Sequence, residues 1–240
     1  MRKKEVMTLK QIIAMGGGGF SMEPDHLVLD QYILEQSARS KPKVCFLPTA
    51  SGDSEKYTGR FYQAFQKLRC EPDHLSLFKP PGSDLRSFLM KKDIIYVGGG
   101  NTRNMLVLWK EWGLDLILRE AWENGIILAG LSAGAICWYE EGVTDSAGDL
   151  RELTALGFLP GSFCPHYDGE SERRPVYHRL ISEKKLREGY AADDGAALHY
   201  KDGQLFRAVS SRETAKGYRV FNTEEGVRET ELMTIPLSEF

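Results

Sequence analysis

The chain has 240 residues, 42% hydrophobic and 27% charged, which is enough apolar material for a single α/β domain over residues 1–240. A formal net charge of -3 offers no general attraction to phosphate backbones or anionic membrane surfaces, so neither nucleic acid nor membrane is an expected partner. The four cysteines, Cys45, Cys70, Cys137 and Cys164, are widely spaced. They form neither a disulfide framework nor a clustered metal site, so a reducing compartment and no metal are expected.

Arg2-Lys3-Lys4 and the short apolar run behind it imitate the start of a signal peptide, but Gly16 to Gly19, then Glu23 and Asp25, cut the run short. No segment approaches the ~20 apolar residues that span a bilayer. A soluble cytoplasmic protein is expected. Ile12 to Met15, Val44 to Leu47, Ile94 to Val97 and Ile126 to Ala129 are short, rich in Ile and Val, and each is followed by Gly or Pro within a few residues. They read as buried strands of a parallel sheet, with helices between them. Tyr57, Phe61, Phe65 and Leu68 share one helical face, and so do Leu106, Trp109 and Trp112 ahead of a stop at Gly113. Leu114 to Asn124, closed by Gly125, is the next helix. From about Glu140 to Cys164 periodicity is lost and a long functional loop is expected. A helix from Tyr177 to about Glu188 follows. Ala196 to Tyr200 and Gln204 to Val209, around Asp202-Gly203, then predict a C-terminal β-hairpin.

Gly130-Leu131-Ser132-Ala133-Gly134 fits G-x-S-x-G between a predicted strand and a predicted helix. A serine on such an elbow presents its hydroxyl outward at a helix N-terminus, where developing negative charge is favoured. The same pattern also describes a plain glycine-rich strand-to-helix turn. A serine nucleophile needs a positioned base oriented by a carboxylate. Of five histidines, His26 and His74 read as surface positions and His199 lies in the hairpin. His166 follows Cys164-Pro165 and is favoured, with His178 on a predicted helix as its competitor. An oxyanion hole needs two backbone N–H donors. Ala133 supplies one, and the loop Gly98-Gly99-Gly100-Asn101-Thr102 can supply the other or simply cap a helix.

Together, Val97 to Thr102, Gly130 to Ala135, Pro165-His166-Tyr167 and Asp194-Gly195 resemble, in order, the serine peptidase family that includes peptidase E and cyanophycinase. The resemblance implies a three-layer parallel-sheet sandwich like that of class I glutamine amidotransferases, with Ser132 in place of their cysteine. It implies Ser132 as nucleophile, His166 as base and acid, Gly100 and Ala133 as the oxyanion hole, and no cofactor. For the acid it implies Asp194, with Asp193 one position away, or Asp145 on another reading. Cys164 and Asp194 stand where the family pattern carries Asn and, often, Glu. A preference for N-terminal aspartate would need a cation in the pocket, and Arg173 and Arg174 are the nominees. The implied partner is a small peptide, taken by a monomer or homodimer. Three rival readings are an α/β-hydrolase-type esterase, a catalytically inactive peptide- or metabolite-binding relative, and a nucleotide-binding module on Gly16 to Gly19. The last lacks the glycine its motif needs, because position 21 is Ser21.

Overall fold

Strand β1 (Gln11–Met15) is buried at every position, as a strand covered on both faces must be. The computed structural model describes residues 8–79 and 84–238, so the Arg2-Lys3-Lys4 run weighed above lies outside the described residues. In chain order β1 is followed by α1 (Gly19–Met22), α2 (Val28–Glu35), β2 (Lys43–Leu47), α3 (Glu55–Phe65), β3 (Glu71–His74), α4 (Leu85–Leu89) and β4 (Ile94–Val97). Then come α5 (Thr102–Glu111), α6 (Leu114–Glu123), β5 (Ile127–Leu131) and the single turn α7 (Ala133–Ile136). The remainder comprises β6 (Tyr139–Thr144), β7 (Arg151–Thr154), β8 (Leu159–Cys164), α8 (Arg173–Ser182), β9 (Gly189–Ala192), β10 (Ala196–Lys201), β11 (Gln204–Ser210), β12 (Gly217–Thr223), β13 (Gly226–Glu231) and β14 (Thr234–Pro236).

The larger sheet runs β14-β11-β10-β1-β5-β4-β2-β3. From β1 to β3 its neighbours are parallel, and β10 pairs antiparallel with β1. Alternate residues feed opposite faces. Ile12, Ala14, Ile95 and Val97 pack under α4 to α7 with Trp109 and Leu118, while Ile13, Met15, Phe46 and Tyr96 pack under α2 and α3 with Ile33, Phe61 and Phe65. The result is helix, sheet and helix in three layers. Among the described residues no helix is long and apolar enough to cross a membrane.

The four predicted strands and the hairpin are present, and the hairpin turn at Asp202-Gly203 has φ of 49° and 78°. The expected loop from Glu140 to Cys164 is instead β6, β7 and β8, half of a second, six-stranded sheet ordered β13-β12-β9-β8-β6-β7. Charged and helix-breaking residues hide these strands. The Glu140 carboxylate accepts the Gly161 N–H at 2.8 Å, and Glu141 accepts the Arg187 N–H at 2.9 Å, so polar residues inside strands are satisfied across the sheet. The Tyr177-to-Glu188 helix is in fact Arg173–Ser182, ended before Lys184, which has φ 55°. On α5 the buried row is Thr102, Met105 and Trp109. Trp112, expected on that face, is the C-terminal cap and 40% exposed.

One carboxyl is sealed inside this frame. Asp30 on α2 is fully buried, with Oδ1 accepting the Tyr96 hydroxyl at 3.1 Å and Oδ2 meeting no hydrogen-bond donor among the described residues. Burial pushes its pKa up to about 7, partly opposed by the Tyr96 hydrogen bond and the Phe20 N–H. A carboxyl whose folded pKa lies above its unfolded 3.8 stabilises the fold fully below that value, and the stabilisation is lost as pH rises through about 7. The stability advantage of wild type over Asp30→Asn is therefore expected to shrink by roughly 1.4 kcal/mol per pH unit at most across that window. Denaturant titrations of both proteins from pH 4 to 8 measure it, and parallel curves would contradict the burial argument.

Candidate active site

β5 ends at Leu131, α7 begins at Ala133, and Ser132 between them has φ 53° and ψ -116°. Holding a non-glycine residue there costs on the order of 1–3 kcal/mol. The flanking glycines are dictated by packing. A Cβ at position 130 would lie 2.2 Å from the Gly134 carbonyl oxygen, and one at 134 would lie 2.2 Å from that of Val97 on β4. Ser132 is half-buried, and among the described residues its hydroxyl has no hydrogen-bond partner.

Ser132 opens into a cleft of about 470 Å³ whose lining includes Ser21, Ser51, Arg60, Gly100 and His166. The predicted oxyanion loop stands beside it. Gly100 has φ 138°, and a Cβ there would sit 2.2 Å from the Ala50 carbonyl oxygen. Asn101 Oδ1 accepts the Asn104 N–H at 2.9 Å, so the loop caps α5 while it lines the cleft. The Gly99 N–H donates to the Tyr57 hydroxyl at 3.2 Å. Among the described residues the N–H groups of Gly100 and Ala133 meet no backbone acceptor.

His166, with φ 52° after Pro165, donates from Nδ1 to Asp194 Oδ1 at 2.6 Å, and the two side chains are 15% and 17% exposed. No direct hydrogen bond joins Ser132 to His166 among the described residues. Such contacts commonly tighten only when substrate arrives. The Asp194 loop, between β9 and β10, is held from several sides. Its N–H donates to Asp168 at 2.8 Å, Arg212 donates to its carbonyl, and Gly195 N–H reaches the Gly17 carbonyl at 3.1 Å. The Gly16 to Gly19 run thus has a structural use that does not involve phosphate. A Cβ at Gly17 would meet the Asp194 carboxylate at 2.0 Å, and one at Gly169 would meet it at 2.2 Å. Gly169 is exposed, so Gly169→Ala is expected to fold normally yet displace the carboxylate and lower kcat about 100-fold. Steady-state kinetics beside a thermal melt check this.

Asp193, one position away, belongs to different surroundings. It is 2% exposed and accepts the Lys216 N–H at 2.9 Å and the Tyr218 hydroxyl at 3.2 Å, and burial pushes its pKa up to about 6. Asp145 is 61% exposed and 4.0 Å from Arg173, and among the described residues it makes no contact with a histidine. His178 shares Glu229 with Tyr167, at 3.0 and 2.6 Å. His199 is sealed between Tyr32 and Gln11, and desolvation lowers its pKa to about 3. His74 meets Tyr62, and His26 meets the Ser211 carbonyl. Of the five histidines, His166 lines the cleft of Ser132.

The two nominated arginines do not line it. Arg173 is buried, donating to Glu170 at 2.7 Å and to the Val143 carbonyl at 3.0 Å. Arg174 lies 4.5 Å over the Tyr167 ring and 3.6 Å from Glu229. The cation in the cleft is Arg60 on α3, which the sequence reading passed over because it falls between Tyr57 and Phe61 on the solvent side of an amphipathic pattern.

Comparison with known proteins places the chain in a family. The pattern of peptidase family S51 matches residues 12–208. An uncharacterized peptidase, YgaJ, of Bacillus subtilis (strain 168) is 71% identical over 224 residues, covering 93% of this chain and 97% of its own. Peptidase E of Streptomyces coelicolor is 26% identical over 180 residues, covering 74% of this chain and 72% of its own. Among solved structures, a peptidase from an acI-B1 actinobacterium shares the fold, with a TM-score of 0.68 at 18% identity over 98% of both chains. This chain belongs to peptidase family S51 and is a serine-type peptidase, a hydrolase.

Proposed function

We propose that this peptidase cleaves short peptides, dipeptides with N-terminal aspartate among them, through a Ser132-His166-Asp194 triad and an acyl-enzyme. The observation that carries the reading is the 2.6 Å contact of His166 Nδ1 with Asp194, beside the cleft into which the strained elbow of Ser132 projects. A carboxylate on Nδ1 leaves the proton there and makes Nε2 the base. That nitrogen takes the Ser132 proton as oxygen attacks the peptide carbonyl, then returns it to the leaving amine. Water hydrolyses the ester by the same route. The N–H groups of Gly100 and Ala133 receive the developing oxyanion.

The esterase reading would use the chain order serine, acid, histidine, and the acid that restores this order, Asp145, is solvent-exposed and beside Arg173. The four buried, unpaired cysteines support a reducing, cytoplasmic setting. A dipeptide library screened with the purified protein, with Ser132→Ala as blank, tests substrate class and nucleophile together. Absence of turnover on every dipeptide, with no fluorophosphonate labelling, would favour the binding-protein alternative.

A further inference from the structure

The cleft around Ser132 contains one formal charge among its lining residues, the guanidinium of Arg60. Among the described residues Arg60 makes no ion pair, and no carboxylate lines the cleft to neutralise it. The side chain is nevertheless held in place. Nη1 donates to the Ser21 carbonyl at 3.3 Å, and the guanidinium carbon lies 5.0 Å over the Tyr57 ring. Tyr57 is itself 6% exposed and tied by its hydroxyl to the Gly99 N–H at 3.2 Å, on the loop that borders Ser132. Among the described residues the remaining guanidinium donors are uncommitted. A planar cation stacked on an aromatic ring, with free paired donors at the edge of a neutral cleft, is built to take an anion of fork geometry.

We propose that Arg60 is a specificity-determining residue that pairs with a carboxylate of the peptide substrate. The inference rests on the reading of this cleft as the peptidase site. A short peptide offers two such groups, an acidic side chain and its C-terminal carboxylate, which share the same chemistry. Pairing with either draws the peptide to the wall formed by α3 and disfavours chains that present no carboxylate there.

The test compares kcat/KM for Asp-Leu, Asn-Leu and Asp-Leu amide in wild type, Arg60→Gln and Arg60→Lys. Wild type is expected to favour the carboxylate-bearing member of at least one matched pair by roughly 10- to 50-fold, chiefly through KM. Arg60→Gln collapses that ratio to near one, and Arg60→Lys keeps part of it. Loss of the Asp-over-Asn ratio assigns Arg60 to the side chain, and loss of the acid-over-amide ratio assigns it to the C-terminus. A ratio that survives in Arg60→Gln overturns the proposal, as does a wild type that discriminates in neither pair or hydrolyses none of the three. Fluorophosphonate labelling of wild type, with Ser132→Ala as blank, reads the nucleophile separately. Absence of labelling removes the serine assignment, whereas labelling with an unaltered ratio removes Arg60 alone.

Discussion

Ser132→Ala is expected to lower kcat about 10⁶-fold while leaving secondary structure and melting temperature close to wild type. The fold tolerates it because the hydroxyl has no hydrogen-bond partner among the described residues, so its removal strands no buried polar atom. Alanine keeps a Cβ at φ 53°, so the backbone strain of the elbow is unchanged as well. Because the three groups act as a unit, adding His166→Ala to Ser132→Ala should cost little more. Dipeptide turnover paired with a circular dichroism melt measures both effects. Retention of more than about 1% of wild-type kcat would take the nucleophile role away from Ser132.

The second large effect falls on the acid. Asp194→Asn is expected to reduce kcat about 10⁴-fold, because an amide opposite Nδ1 can donate where the carboxylate could only accept and so favours the tautomer with the proton on the wrong nitrogen. Asp145→Asn should barely change turnover, since that carboxylate is 61% exposed and faces Arg173 at 4.0 Å. Equal losses in the two variants would mean that Asp194 does not orient the base. Asp193→Asn is a sharper control for position, because Asp193 lies one residue away but is bound to Lys216 and Tyr218. Its effect should appear in stability and leave little trace in kcat.

The parallel core of the fold was legible because Ile12 to Met15, Val44 to Leu47 and Ile94 to Val97 are continuous apolar runs, and both faces of their sheet are buried. The second sheet was not. β6 carries Glu140 and Glu141, and β8 carries Pro160-Gly161, so their burial depends on partners 20 or more residues away, Gly161 and Arg187, which local periodicity cannot register. The same contrast holds at the site. The Ser132 elbow is a local event of strand, turn and helix, and it reads from five consecutive residues. The choice among Asp193, Asp194 and Asp145 depends on which side chain meets a ring at position 166, a contact across 28 residues. Gly17 and Gly169 could be recognised as making room for the Asp194 carboxylate only once their distance from it was known. Arg60 escaped because its position on a helix predicts solvent, and the solvent in question is the cleft.

The place of β1 in the sheet has a bearing on synthesis. It lies between β5 and β10, and its glycine-rich exit packs on the loop carrying Asp194. A nascent chain that has emerged only as far as residue 150 therefore contains Ser132 but has a vacant flank along β1, with neither His166 nor Asp194 yet made. Hydrolytic competence under the proposed triad is thus withheld until Asp194 and β10 have left the ribosome, so the order of residues along the chain itself delays activation.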